Sequence, residues 1–152
     1  MQLQENMKQR LESRLDTLHD RGAGTIGDML QLRLVDCDLE KGEFTMQCRT
    51  EGWMRNIAGT LHGGMCATLM DQAMGCVAYC AMPGEGIAPT IDLQVSYHRP
   101  LIPGEDVLIR VRMVSVTKSL MYLASEAALV SQPDRVCITS SATFFYKPMP
   151  IV

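Results

Sequence analysis

One acidic residue is unusual in its surroundings. Asp71 lies near the middle of residues 63–82, and no other side chain in that stretch carries a charge. An ionised carboxylate is costly to bury without partners, and such groups are concentrated at functional sites. Asp71 is therefore a candidate catalytic acid or base. A structural carboxylate that a nearby hydroxyl or backbone amide satisfies is the alternative.

Two glycines open the same stretch. Gly63 and Gly64 stand where a helix would begin, and the first amides of a helix have no partner within it. Glycine leaves those amides unshielded by a Cβ, and the helix dipole favours negative charge there. The pair is a candidate site for charge that develops on a substrate oxygen, with a tight loop-to-helix turn as the alternative.

The spacing of these two features limits how they can act together. Asp71 follows Gly63 by eight residues, which is about 12 Å along a helix axis. One small reacting group cannot touch both on the same helix. If they share a site, the second feature must come from another copy of the chain, which predicts a homodimer with two symmetric sites.

The first segment has the apolar spacing of a helix. We expect this helix to cover residues 1–22, to end at Gly22 and Gly24, and to pack on the core or cover a dimer. Its apolar positions recur at steps of four, four, four and three: Leu3, Met7, Leu11, Leu15 and Leu18.

Alternating apolar residues predict six strands around the central helix. The predicted strands cover residues 30–34, 44–48, 91–97, 107–113, 120–130 and 136–146. Residues 38–42 form a turn and 51–61 a loop, and residues 62–80 form a helix covered on every side that Pro83-Gly84 ends. Strands joined by short turns run antiparallel, so we expect an α+β fold with the helix against one face of the sheet.

The loop and helix together contain a motif that resembles a known family. The run reads Asn56-x-x-Gly59-x-x-His62-Gly63-Gly64-x-x-x-x-Leu69-x-Asp71, and a second run further on reads Tyr97-His98-Arg99-Pro100-x-x-x-Gly104. Both are similar to hotdog-fold acyl-CoA thioesterases of the PaaI type (phenylacetic-acid-degradation thioesterases and their relatives). The resemblance covers residues 25–147 and implies one hotdog domain over residues 1–152, with a long central helix wrapped by an antiparallel six-stranded sheet.

The resemblance implies a role for each matching residue. Asp71 would act as general base on water or as nucleophile, and Gly63 would polarise the thioester carbonyl through its amide. Asn56 would help to hold the carbonyl or the water, His62 would support the turn, and Thr90 would position the water. Pro89, just before Thr90, departs from the family pattern.

Further residues are candidates for binding the substrate. Gly64 belongs to the same helix start as Gly63. Arg99 and Lys118 are candidate contacts for the coenzyme A phosphates, although ordinary surface solvation would also explain either cation.

The implied activity is hydrolysis of an acyl-CoA, with an aryl or medium-chain acyl group, to a free acid and coenzyme A. Coenzyme A enters as part of the substrate, and no metal or other cofactor is expected. Acyl carrier protein thioesters stay open as substrates, and so does pairing of the homodimer into a tetramer. A non-catalytic acyl-CoA sensor and a hydratase or dehydratase on the same fold are the alternatives.

Composition argues against several other classes of protein. The chain has 152 residues with 14 Lys and Arg against 17 Asp and Glu, a net charge of −3, which disfavours nucleic acid as a partner. The six cysteines contain no C-x-x-C pair, and residues 1–5 have no apolar signal core, so a cytoplasmic location is expected. Residues 63–82 are apolar enough to imitate a membrane span, but Asp71 and Gln72 at their centre disfavour one.

The cysteines are expected to belong to the core. Cys76 and Cys80 are four residues apart and would make half of a metal site, but His19, His62 and His98 are scattered along the chain. Cys66 is the thiol nearest to His62 in sequence, and we expect it too to be buried rather than nucleophilic.

Overall fold

A computed structural model describes residues 6–82, 84 and 86–148. The helices within these residues are α1 (Met7–Asp20), α2 (Ile26–Met29) and α3 (Gly63–Ala81), with a 3₁₀ turn at Gly52–Met54. The strands are β1 (Arg33–Asp38), β2 (Glu43–Arg49), β3 (Gly86–Ile87), β4 (Thr90–Tyr97), β5 (Asp106–Val116), β6 (Leu120–Leu129), β7 (Ile138–Phe145) and β8 (Lys147–Pro148).

Six of these strands form one antiparallel sheet in the order β1-β2-β5-β6-β7-β4, and β3 pairs separately with β8. The long helix α3 packs against β4, β5, β6 and β7, and α1 packs on α3 and β1. The predicted α+β arrangement of a central helix against a six-stranded antiparallel sheet is confirmed. That residues 1–152 form one domain stays a prediction.

Alternation along the strands determines where the core lies. Every second residue of β5 from Val107 to Met113 is buried on the face toward α3, while Arg110 and Arg112 point to the other face. The same pattern in β2 and β7 buries Phe44 and Phe144 at 1% exposure each. The core therefore lies between α3 and one face of the sheet, and α1 closes it with three buried residues, Met7, Leu11 and Leu15.

Helix α3 begins and ends close to the predicted positions. His62 is its N-cap, and Met82 follows it in an extended conformation (φ −86°, ψ 146°). A residue before proline is restricted to that conformation. Pro83 itself lies outside the described residues.

The expectation that α3 is covered on every side is wrong for the single chain. One stripe of the helix, at steps of three and four residues, is exposed or half-buried. The stripe consists of Gly64, Thr68, Asp71, Gln72, Gly75 and Tyr79. The sheet covers the opposite side of the helix, so this stripe is available to a ligand or to a second chain.

The first predicted strand is also placed wrongly. Residues 26–29 form the short helix α2, whose N-cap Thr25 accepts a hydrogen bond from the Asp28 amide at 3.4 Å. Gln31 then adopts a positive φ of 47°, which interrupts an extended chain. Leu30 and Leu32 are buried as expected, but β1 begins only at Arg33.

Other differences are minor. The predicted loop at 51–61 contains the 3₁₀ turn and a single bridge between Arg55 and Leu61. Leu3, part of the predicted N-terminal helix, lies outside the described residues. A search of the described helices finds none that combines the length and the apolar character needed to cross a bilayer.

Replacing one core aromatic residue tests this packing. We expect Phe44→Ala to lower the free energy of unfolding by about 3–5 kcal/mol, because it leaves a cavity in the hydrophobic core. Phe145→Ala is the matched control, since Phe145 is 38% exposed on the outer face, and it should cost about 1 kcal/mol or less. Urea unfolding followed by circular dichroism measures both, and equal losses would contradict the assignment of the core face.

Candidate active site

Asp71 and Thr90 are in direct contact. The Thr90 hydroxyl donates a hydrogen bond of 2.7 Å to Oδ1 of Asp71. Asp71 is half-buried in the middle of α3, and Thr90 is the first residue of β4. No described residue donates a hydrogen bond to the other carboxylate oxygen, Oδ2, so the contact orients the carboxylate and leaves one oxygen available.

An irregularity in β4 turns Thr90 toward the helix. Thr90 pairs with Phe144 on β7 but Asp92 pairs with Thr143, so Ile91 is an extra residue in the ladder. Phe144 faces α3, and paired residues share a face, which puts Thr90 rather than Ile91 on the helix side. Strict alternation from Leu93 would have placed Thr90 on the opposite face.

The carboxylate lies in an open cleft of about 430 Å³. The cleft is lined by Asp71 and Thr90 together with Arg14, Gln72, Gly75, Tyr79, Gly86, Ile87, Ala88, Pro89 and Phe144. The volume is in the range of small-molecule sites. Sequence reasoning did not single out Arg14, Gln72, Tyr79 or Phe144, since nothing in the sequence shows that α1 and β7 border this part of α3.

Gly63 lies in a different cleft, at the start of α3. Its carbonyl accepts a hydrogen bond of 2.7 Å from the Tyr97 hydroxyl, and no acceptor for its amide is present in the part of the chain that the structure describes. Burial raises the pKa of Tyr97 above its ordinary value, so the hydroxyl stays protonated and able to donate at neutral pH. Tyr97 was part of the sequence motif, but its contact with Gly63 was not foreseen.

The His62 side chain caps the backbone amide of Gly64. The Gly64 amide donates a hydrogen bond of 3.0 Å to Nδ1 of the His62 ring, which caps the helix. A neutral ring with its proton on Nε2 is required for this bond. His62 thus caps the start of α3, and its role in the site stays a prediction. The Gly64 amide is engaged by this bond, whereas the Gly63 amide has no acceptor among the described residues.

Asn56 holds the loop before the helix. Its Nδ2 donates to Thr60 Oγ1 at 2.9 Å, and the Thr60 amide donates to its Oδ1 at 3.2 Å. Gly59, at φ 84°, allows the tight turn between them. An amide side chain has further hydrogen-bonding capacity, and Asn56 lines the same cleft of about 370 Å³ as Gly63, Tyr97, His98 and Arg99.

The two predicted phosphate contacts lie at opposite ends of the sheet. Arg99 follows β4, where its Nη1 donates to the Val136 carbonyl at 2.7 Å, and it borders both the Gly63 cleft and a neighbouring groove with Arg135. Lys118 is exposed in the turn between β5 and β6, at the end where Thr90 begins β4. The structure therefore places Arg99 beside Gly63 and does not bring Lys118 to it.

Within one chain, the two halves of the predicted site are separate. The cleft with Asp71 and Thr90 shares no lining residue with the cleft that holds Gly63 and Asn56. In residues 6–82, 84 and 86–148, no three His, Cys, Asp or Glu side chains come together as a metal site.

Comparison with known proteins identifies similar chains. The sequence model of the thioesterase superfamily matches residues 58–138. The human protein named acyl-coenzyme A thioesterase 13 is 31% identical over 83 residues, which are 53% of this chain and 57% of that protein. The chain thus spans little more than half the length of this curated relative.

Solved structures share the fold. The Escherichia coli PaaI protein from the phenylacetic acid degradation operon superposes with a TM-score of 0.76 at 15% identity, over 95% of this chain and 96% of that chain. A Streptococcus mutans protein solved with bound acetyl-CoA superposes with a TM-score of 0.66 at 20% identity, over 77% of this chain and 89% of that chain.

The cysteines show the features of core residues. All six are free, and all except Cys37 are buried. Burial raises the pKa of Cys48 and Cys80 to about 12 and that of Cys66 to about 11. These thiols stay protonated near neutral pH, where the neutral form is a poor nucleophile.

This burial predicts the reactivity of the thiols. In native protein at neutral pH, we expect a disulfide reagent such as DTNB to label only half-buried Cys37, whose own pKa is raised by burial, and to do so slowly. All six should react after denaturation. Cys37→Ser is the control and should abolish the native reaction, whereas fast labelling of Cys66 in that variant would contradict the assignment to the core.

Proposed function

Because this chain belongs to the thioesterase superfamily, we propose that it hydrolyses acyl-coenzyme A thioesters to a free acid and coenzyme A. The observation that carries this proposal is the Asp71 carboxylate, held through one oxygen by Thr90 in an open cleft. The name of the human relative and the acetyl-CoA bound to the Streptococcus mutans protein support the choice of substrate class.

The chemistry follows from the groups present. Oδ2 of Asp71 accepts a proton from water, which attacks the thioester carbonyl carbon. Negative charge develops on the carbonyl oxygen, where the Gly63 amide donates to it. The intermediate collapses with cleavage of the C–S bond, and coenzyme A leaves as a thiolate that takes up a proton. Direct attack by the carboxylate, through an anhydride that water then hydrolyses, uses the same groups.

Strand β4 supplies a way to bring the two halves together. It is an edge of the six-stranded sheet, with Ile91 58% and Tyr97 53% exposed, and its eight residues contain no Lys, Arg or Pro. Such an edge is a template for pairing with another strand. A homodimer that joins two copies of β4 would pair the exposed β4 edge of each subunit.

The direction of that pairing decides which residues meet. Two-fold symmetry makes the paired strands antiparallel, so the Thr90 end of one β4 lies beside the Tyr97 end of the other. Thr90 contacts Asp71 and Tyr97 contacts Gly63. Asp71 would thus face Gly63 of the partner subunit across the interface, in each of two equivalent sites. A dimer of dimers stays a prediction.

The Gly63 cleft and the Asp71 cleft would then bind different portions of the substrate. The coenzyme A portion would lie in the Gly63 cleft toward Arg99, and the acyl portion in the Asp71 cleft, along its apolar wall of Ile87, Ala88, Pro89 and Phe144. Lys118 lies in the turn between β5 and β6, with β7 between β6 and β4, and its contact with a coenzyme A phosphate stays a prediction. The six free thiols support a reducing compartment, and we place the protein in the cytoplasm.

The alternatives differ in what they release. A sensor would bind acyl-CoA without freeing a thiol, and a hydratase would change the acyl chain without cleaving the thioester. His62, the acid–base group that a hydratase would use, is engaged as the helix cap. Thiol release therefore separates the three activities.

Removing the proposed base should abolish turnover. We expect Asp71→Asn to lower kcat for the best acyl-CoA by about 100- to 10,000-fold. Thr90→Val should cause a smaller loss of kcat, whereas Thr90→Ser keeps the hydroxyl and should retain activity. Thiol release from an acyl-CoA panel measures this, with the protein's own thiols subtracted. Asp16→Asn is the matched control, because Asp16 is an exposed carboxylate on α1 that lines neither cleft and lies outside β4. Equal activity of Asp71→Asn and wild type would exclude the assignment.

The Gly63 amide can be removed without disturbing the helix. Gly63 is the first helical residue, where proline is favoured and has no N–H, and His62 before it is already extended (φ −62°, ψ 136°). We expect Gly63→Pro to lower kcat by about 100- to 1,000-fold. Gly63→Ala keeps the amide, and its Cβ would lie 3.6 Å from the Tyr97 ring, an ordinary contact, so it should stay close to wild type.

Mixing the two inactive variants tests whether the site is shared. In a heterodimer of Asp71→Asn and Gly63→Pro, one site carries both substitutions and the other carries neither. Random pairing should therefore recover about one quarter of the wild-type activity per chain. Absence of recovery in a purified heterodimer would show that both groups act within one chain.

A further inference from the structure

The cleft that contains Asp71 continues along α3 toward the second half of the helix. Gly75 and Tyr79 follow Asp71 at four-residue steps on the same face, so Tyr79 lies about 12 Å from Asp71 along the axis. The opposite wall is apolar and consists of Ile87, Ala88, Pro89 and Phe144. This shape suits an acyl group that starts at Asp71 and extends toward Tyr79.

A cation that forms no ion pair with any described residue lies at the far end. Arg14 of α1 lines the cleft, and its guanidinium carbon is 4.2 Å from the centre of the Tyr79 ring. Arg14 is half-buried, and its Nε is buried without a hydrogen-bond acceptor. Among the described residues it forms no ion pair, whereas Arg33, Lys41 and Arg110 each have a carboxylate.

This environment favours an anionic ligand. The Tyr79 ring holds the guanidinium from one face and restricts its orientation. The buried Nε has no acceptor among the described residues, so the half-buried guanidinium forgoes part of the hydrogen bonds it would make in water. A carboxylate restores them best, because its two oxygens match the planar fork of the guanidinium.

We propose that Arg14 is a specificity-determining residue that binds a carboxylate at the far end of the acyl group. The preferred substrates are then coenzyme A thioesters of dicarboxylic acids, with methylenes along the apolar wall between Asp71 and Tyr79. This inference rests on the proposed function and adds the class of acyl group to it.

Matched substrates isolate the effect of the terminal carboxylate. We compare adipoyl-, suberoyl- and sebacoyl-CoA with hexanoyl-, octanoyl- and decanoyl-CoA, pairs that have equal chain length and differ in the end group. Wild type should prefer the dicarboxylic member of at least one pair. Arg14→Gln should lower kcat/KM for that member by about 10- to 100-fold and change the monocarboxylic member by less than about twofold.

Two further variants complete the design. Arg21→Gln removes an exposed arginine at the end of α1, outside the cleft, and should leave the substrate ratio unchanged. Arg14→Lys keeps the charge but not the fork, and should retain only part of the preference. A structural role for Arg14 would lower both members of a pair equally, and that outcome, or a wild-type preference for the methyl end, overturns the inference.

A binding measurement tests the role of Arg14 independently of the proposed hydrolysis. Calorimetry of the best dicarboxylic thioester with Asp71→Asn protein needs no turnover, and adding Arg14→Gln should weaken binding by about 10-fold or more. Unchanged binding refutes the role of Arg14. Loss of binding with no hydrolysis by wild type would support Arg14 and refute the thioesterase.

Discussion

The fixed rise of the α-helix is the constraint on which this molecule's chemistry depends. Gly63 and Asp71 lie on one uninterrupted helix, α3, and are held about 12 Å apart along its axis. An amide that stabilises charge on an oxygen and a carboxylate that activates water for the adjacent carbon must lie within a few ångströms of one another. A straight helix cannot bring its own residues that close, so the proposed mechanism needs one of the two groups from a second copy of the chain.

Neighbouring contacts leave each proposed catalytic residue with one group that has no partner among the described residues. Thr90 occupies one oxygen of Asp71, His62 occupies the Gly64 amide, and Tyr97 occupies the Gly63 carbonyl. What remains is one carboxylate oxygen in one cleft and one amide in the other. Orientation before substrate arrives reduces the reorganisation needed during reaction, which is where fixed dipoles contribute most to catalysis.

Periodicity in the sequence predicted most of the fold, because burial repeats every second residue in strands and every third or fourth in helices. It failed where local hydrogen bonds or an extra residue override that repeat. Thr25 caps a short helix and Gln31 turns the chain, so Leu30 and Leu32 are buried without belonging to a strand. The extra residue Ile91 reverses the side on which Thr90 lies, and no alternation pattern contains that information. The resemblance to thioesterases singled out Thr90 where periodicity could not.

An apolar sequence shows that a helix is covered, but not which chain covers it. The half-buried stripe through Asp71 and Tyr79 carries the few polar side chains of α3, whereas the buried side is apolar throughout. The mostly apolar composition of the whole helix hid this difference. The chemical groups Gly63, Asp71 and Thr90 all fall within residues 58–138, the part that the superfamily model matches, whereas α1 and Arg14 fall outside it. Helix α1 packs on the core through its buried face, Met7, Leu11 and Leu15, with Arg14 at the border of that face. Residues at the border of that face can therefore change what the cleft accepts without disturbing the core or the reacting groups, which is how one fold supports many substrates.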